Sequence, residues 1–219
     1  MDNTDFLCAE ARCSDLARLL YTQYAVQAYE IRQSAHQTHA NVNQIYGGNL
    51  PYGVHLDMVA DAVLHYADYL PVKDMDALPV YFGAYFHDSM EDARLTYHDV
   101  LRKAQGLMED RQALLAAEIV YALTNEKGRN RMERADDRYY AGIRHTPYAP
   151  FVKLADRLAN MRFSFSHLEH GNLHMRQVYR DELPHFLRQL QTDSSDFRLA
   201  LPPDMVTALC CLPGNFPTK

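Results

Sequence analysis

No stretch of this 219-residue chain approaches the roughly 20 consecutive apolar residues that a bilayer-spanning helix needs. A membrane class is excluded from the reading, and no membrane partner is expected. Cysteine is scarce and poorly spaced for chemistry: Cys8 and Cys13 lie near the start and Cys210 and Cys211 near the end, with no C-x-x-C pair. Zinc-ribbon and dithiol readings are set aside, and all of them are taken as ordinary thiols. Positive charge is also short. With Lys+Arg at 22, Asp+Glu at 28 and a net charge of −6, the chain lacks the basic surface with which a general nucleic-acid binder neutralises phosphates. A small phosphorylated substrate stays compatible, because a metal ion and a few local cations overcome a mild global field. No repeat, low-complexity tract or Gly/Ser-rich linker divides the chain. One domain over 1–219 is therefore expected, with its core at about 20–190 and a C-terminal extension over 191–219. Met1-Asp-Asn-Thr-Asp-Phe opens with acids in place of the basic and apolar stretches of a signal peptide, from which a cytoplasmic location is expected.

What the sequence does contain is helical periodicity. From the N-cap Ser14 to about Thr38, Leu16, Leu19, Leu20, Tyr24 and Val26 recur at helical spacing and predict one long helix. Asn41 to Pro51 carries Gly47, Gly48 and Pro51 and reads as a loop. Further helices are predicted over Tyr52–Leu70, closed by Pro71, and from about Asp76 into His87. Others follow over Thr96–Gln105 with Thr96 as N-cap, and over Arg111–Thr124. After a loop through Gly128 come Glu133–Ile143, Tyr148–Phe163, Leu173–Leu190 and a short helix between Pro203 and the final Pro-Gly-Asn-Phe-Pro. Nothing alternates apolar and polar residues long enough to demand a sheet, so the fold class is all-α with about seven to nine helices.

Against that background a few polar residues stand out. His87-Asp88 ends the apolar run Val80 to Phe86, where burying such a pair is costly unless something compensates it. A bound cation would, and imidazole with carboxylate suits a first-row divalent ion better than calcium. A helix-terminal His and Asp bonded to backbone is the plainer explanation of that dipeptide alone. The company of Glu91 and Asp92, in the string HDSMED, favours the cation. His55 shares the apolar face of Met58, Val59 and Ala62, and Asp156 interrupts the core-forming run Phe151 to Met161. Either is explicable as a satisfied structural residue; together they explain one another if they converge on His87 and Asp88. Lys153, Arg157 and Asn160 lie on or near the surface of Asp156 and are candidate phosphate or ribose contacts, or solvated helix residues.

Four segments carry a resemblance: GVHLDMVA (53–60), FHDSMEDARLT (86–96), ALTNEKGRNRMER (122–134) and FVKLADRLANMR (151–162). Over about residues 20–190 the chain resembles the HD-domain hydrolases, most closely the hydrolase domain of the RelA/SpoT homologues and the small alarmone hydrolases. The resemblance implies an HD-domain helical bundle in which His55, His87, Asp88 and Asp156 ligate one divalent metal, typically manganese. It implies that Glu91 and Asp92 orient water and handle protons, and that the segment from Lys127 to Arg131 covers the substrate. The implied partner is a small phosphorylated nucleotide, with 3'-pyrophosphate removal from (p)ppGpp as the expected activity. Where that family carries a basic residue that stacks on guanine, this chain has Asn43-Gln44-Ile45-Tyr46. Gln44 and Tyr46 are thus the candidates for base contact. An HD phosphatase acting on another phosphate ester and a nucleotide-binding sensor without turnover are the competing expectations.

Overall fold

Ser14 caps the first helix: its Oγ accepts from the Ala17 N–H at 3.1 Å, and α1 (Asp15–Thr22) follows. The computed structural model describes residues 14–70, 72–125, 129, 133, 135–166 and 173–212. Among them lie ten α-helices and one two-stranded hairpin, an all-α architecture.

The single helix predicted from Ser14 to Thr38 is divided into α1 and α2 (Ala25–Ala40). The N–H groups of Gln23 and Tyr24 both reach the Leu19 carbonyl, at 2.9 and 3.1 Å, and Tyr24 leaves the helical region at φ −117°, ψ 25°. The buried stripe Leu16, Leu20, Ala28, Ile31, Ala35 continues across the break with no Gly or Pro to mark it. This is why the sequence reads as continuous, and why the helices outnumber the expectation. Val26, counted on the apolar face, is 68% exposed.

The expected loop after α2 contains a short antiparallel hairpin, β1 (Ile45–Tyr46) and β2 (Leu50–Pro51), with Tyr46 opposite Leu50. Two-residue strands are too short to show alternation. Gly47 turns the hairpin at φ +58°, and a Cβ there would run into the Phe163 ring.

Next come α3 (Gly53–Tyr66), α4 (Asp74–Phe86), α5 (Tyr97–Gln105) and α6 (Asp110–Leu123). They are followed by α7 (Asp137–His145), α8 (Ala149–Ser166), α9 (Leu173–Leu190) and α10 (Pro203–Cys211). Thr96 forms a reciprocal cap on α5: its Oγ1 accepts from the Asp99 N–H at 3.2 Å, while its own N–H donates to Asp99 Oδ2 at 2.9 Å. Pro79 inside α4 cannot bond the Met75 carbonyl, and Gln112 Nε2 donates to that oxygen at 2.8 Å instead. The terminator Pro71, the residues Lys127, Gly128 and Arg131, and Cys8 and Cys13 lie outside the described residues.

Helices α3, α4 and α8 pack on one another, and α6 backs α4. That triangle matters because each of its helices carries candidate ligands. Phe82 and Phe86 stack at 4.2 Å inside it, and Gly83 lets α6 approach closely: a Cβ there would lie 2.6 Å from Ile119 Cγ2. Gly83→Ala is expected to destabilise the fold by about 1–3 kcal/mol through overpacking. Urea unfolding measures this, and an unchanged midpoint would show that α4 and α6 separate freely. The C-terminal segment closes over α8: α10 packs on it, burying Met205 and Leu209, and the Tyr148 N–H donates to the Arg198 carbonyl at 2.7 Å. Among the described residues no helix is long and apolar enough to cross a membrane.

Candidate metal centre

His55 sits in the first turn of α3, and His87 and Asp88 directly follow the last residue of α4. Both imidazoles are buried, at 1% and 2% exposure. Their Nε2 atoms lie 3.2 Å apart. Asp88 Oδ2 is 2.9 Å from His87 Nε2 and 3.6 Å from His55 Nε2, so the three residues form one compact donor cluster. Asp156, on α8, brings Oδ1 to 3.4 Å from His55 Nε2 and 3.8 Å from His87 Nε2. The triangle of helices thus gathers all four residues that the sequence singles out.

The chemistry of this donor set fits a cation. His87 Nδ1 lies 2.9 Å from the Ala84 carbonyl, which only an N–H can satisfy, so Nε2 is the ring's free donor. His55 Nδ1 has no hydrogen-bond partner, and if both Nε2 atoms are bare they and the Asp88 carboxylate oxygen repel unless positive charge lies between them. Donors placed about 2.0–2.2 Å from one ion would be separated by about 2.8–3.6 Å, the range spanned by the cluster. A cluster of His55, His87 and Asp88 that can hold a metal ion is therefore present.

Electrostatics without a metal point the same way. Burial alone would depress His55, yet the Asp156 and Asp88 carboxylates raise it to about 9. Burial likewise opposes His87, and Asp88 raises it. Conversely, burial would raise both acids, but His87 and His55 hold Asp88 well below the carboxylate range, and Lys153 and His55 do the same for Asp156. Negative charge in this centre asks for a positive partner, which a proton or a metal supplies.

The outer contacts fix the ligands. The Tyr52 hydroxyl donates to Asp88 Oδ2. Asp156 accepts from Lys153 Nζ at 3.0 Å and from Asn160 Nδ2 at 2.6 Å. Tyr46 stacks on the His55 ring at 4.9 Å, packs on Phe163 at 4.5 Å, and donates its hydroxyl to Asn160 Oδ1 at 3.1 Å.

A cleft of about 400 Å³ opens on Asp88 and Asp156 and is also lined by Glu91, Asp92, Lys153, Arg157 and Asn160. Glu91 Oε2 accepts from Asn125 Nδ2 at 2.7 Å. Partial desolvation and the neighbouring Asp88 carboxylate raise the Asp92 carboxyl above its ordinary value. Burial would lower Lys153, but Tyr139 and Asp156 raise it, so the ammonium stays charged. Arg157 donates to Glu182 Oε2 at 2.9 Å with its guanidinium over Phe186 and Tyr179. Both cations already hold a carboxylate. No protein-family model and no curated protein matches this chain.

Gln44 and Tyr46, the sequence candidates for base contact, are not among the residues lining this cleft. Tyr46 covers His55, and Gln44 donates to Asp92 Oδ2 at 2.6 Å. Sequence reasoning missed Tyr52 and Asn125. Tyr52 carried a usable signal, since it precedes His55 by three residues and so shares its helical face.

Proposed function

We propose that the chain is a metal-dependent phosphohydrolase of the HD type that removes the 3' pyrophosphate of (p)ppGpp or a related nucleotide. The observation that carries this reading is the convergence of His55, His87, Asp88 and Asp156, with the two acids lining a cleft that also presents Glu91 and Asp92. Three of the four segments that resemble the alarmone hydrolases, 53–60, 86–96 and 151–162, hold these same residues. His55, His87, Asp88 and Asp156 would hold one divalent ion, manganese by that resemblance. When bound, the ion supplies Lewis acidity that lowers the pKa of water and offsets charge on phosphorus.

The remaining chemistry belongs to the chain. Water adds to the phosphorus on the 3' oxygen, that P–O bond breaks, the nucleotide regains its 3' hydroxyl, and pyrophosphate leaves. Asp92, with its raised carboxyl pKa, is suited to take the water's proton. Asn125 orients Glu91 beside it, and Lys153 and Asn160 hold the Asp156 carboxylate from its two oxygens. A second reading, hydrolysis of a phosphate ester without guanine, is favoured by one observation: Gln44 and Tyr46 are engaged with Asp92, His55 and Asn160.

The test is pyrophosphate release from ppGpp by manganese-loaded protein, with Asp88→Asn beside the wild type. Release that falls more than about a hundredfold in the variant is the expected result. Folded, manganese-loaded wild type that releases none would remove ppGpp as substrate and leave the second reading.

A further inference from the structure

His39 has no part in ligation, yet it reaches the centre through one intermediary. The ring is buried at 1% exposure and lies on the Tyr52 ring, with centroids 4.7 Å apart and planes 19° from parallel. Its Nδ1 is 2.5 Å from Gln44 Oε1, and Gln44 Nε2 is 2.6 Å from Asp92 Oδ2. The backbone is bent to permit this: after α2 the chain turns through Asn43 at φ +54°, and the Gln44 N–H returns to the His39 carbonyl at 3.1 Å.

We propose that His39 and Gln44 are positioning residues that hold Asp92 in the orientation for proton transfer, His39 acting as the neutral Nδ1–H tautomer. The catalytic half of this proposal rests on the hydrolase reading. Directionality follows from the donors available. An ionised carboxylate only accepts, so the Gln44 amide must present its nitrogen to Asp92. The same amide then aims its oxygen at His39, and only Nδ1–H can donate to it. His39 Nε2 is buried without a hydrogen-bond partner, which costs less for a bare nitrogen than for an orphaned N–H. Burial holds His39 below its ordinary pKa, in keeping with a neutral ring.

A structural staple would not need this order. Asp92 is exposed on the turn after α4, where water would satisfy its oxygens. Fixing Gln44 against it spends side-chain entropy with little apolar burial in return. The gain is a defined carboxylate rotamer four residues from Asp88, on a residue that lines the cleft.

Two variants of the manganese-loaded full chain separate the roles. His39→Phe keeps a ring on Tyr52 and removes the Nδ1–H; Gln44→Met keeps the chain length and removes both amide groups. With ppGpp as substrate, each should lower kcat about tenfold while KM and bound manganese stay within about twofold, and the double variant should be no worse than either single one. Unchanged kcat in both variants, or kcat falling together with manganese content, would overturn the proposal. A second readout needs no turnover. In magnesium-loaded protein, nitrogen-15 NMR of the imidazoles should place the His39 proton on Nδ1, with a resonance that moves in Asp92→Ala. A proton on Nε2, or a resonance indifferent to Asp92→Ala, overturns the relay. Wild type inactive on ppGpp would count against the hydrolase reading alone, and the tautomer would still decide the relay.

Discussion

His87→Ala is expected to weaken divalent-metal binding by at least about a hundredfold. The imidazole is fully enclosed, and its Nδ1–H bond to the Ala84 carbonyl sets Nε2 toward His55 and Asp88. Alanine removes one donor and leaves Asp88 and Asp156 facing each other's charge with only His55 between them. Glu91→Gln is the matched control. Glu91 is exposed, bonded to Asn125 and not one of the clustered donors, so its substitution should leave affinity within about twofold while activity falls. Calorimetric titration of manganese into the metal-free proteins measures both. Equal affinity in wild type and His87→Ala would contradict the assignment of the centre.

The second large effect is a pH dependence of metal stabilisation. In metal-free protein the raised pKa of His55, about 9 against an ordinary 6.5, stabilises the fold fully below 6.5, and this contribution is lost as pH rises through 9. His87, raised as well, adds a contribution of the same sign. Asp88 and Asp156, lowered, contribute stability that is present above the ordinary 3.8 and is lost as pH falls through their depressed folded values. The metal needs both imidazoles neutral, so it competes with protons and binds more tightly as pH climbs from 6.5 toward 9. The rise in Tm on adding manganese should therefore grow across that interval. Thermal unfolding at both ends, with and without metal, decides it; a shift that is constant or shrinks would mean that the histidines are not ligands.

How far the sequence anticipated the structure depends on the range of the interaction concerned. Caps are local, so Ser14 and Thr96 were legible from their own neighbours, as was the end of α4 at His87. The convergence of His55, His87, Asp88 and Asp156 was legible from the residues themselves only as a shared oddity, polar groups on faces that ought to be apolar; as a ligand set it came from the resemblance of the segments that hold them. Periodicity says which face is buried and not what it meets. Gln44 and Asp92 are 48 residues apart, and Tyr46 and Asn160 are 114 apart. Such pairs follow from the packing of α3, α4 and α8, which no local pattern encodes. The break between α1 and α2 escaped for the opposite reason: its apolar stripe is continuous, and a change of one hydrogen-bond register leaves no mark on composition.

The most direct test of the metal centre is an anomalous difference map from crystals grown with manganese. One peak is expected per chain, about 2.0–2.2 Å from Nε2 of His55, Nε2 of His87 and a carboxylate oxygen of Asp88, with Asp156 completing the set. A peak elsewhere, or none at this site in protein that retains the fold, would contradict the account.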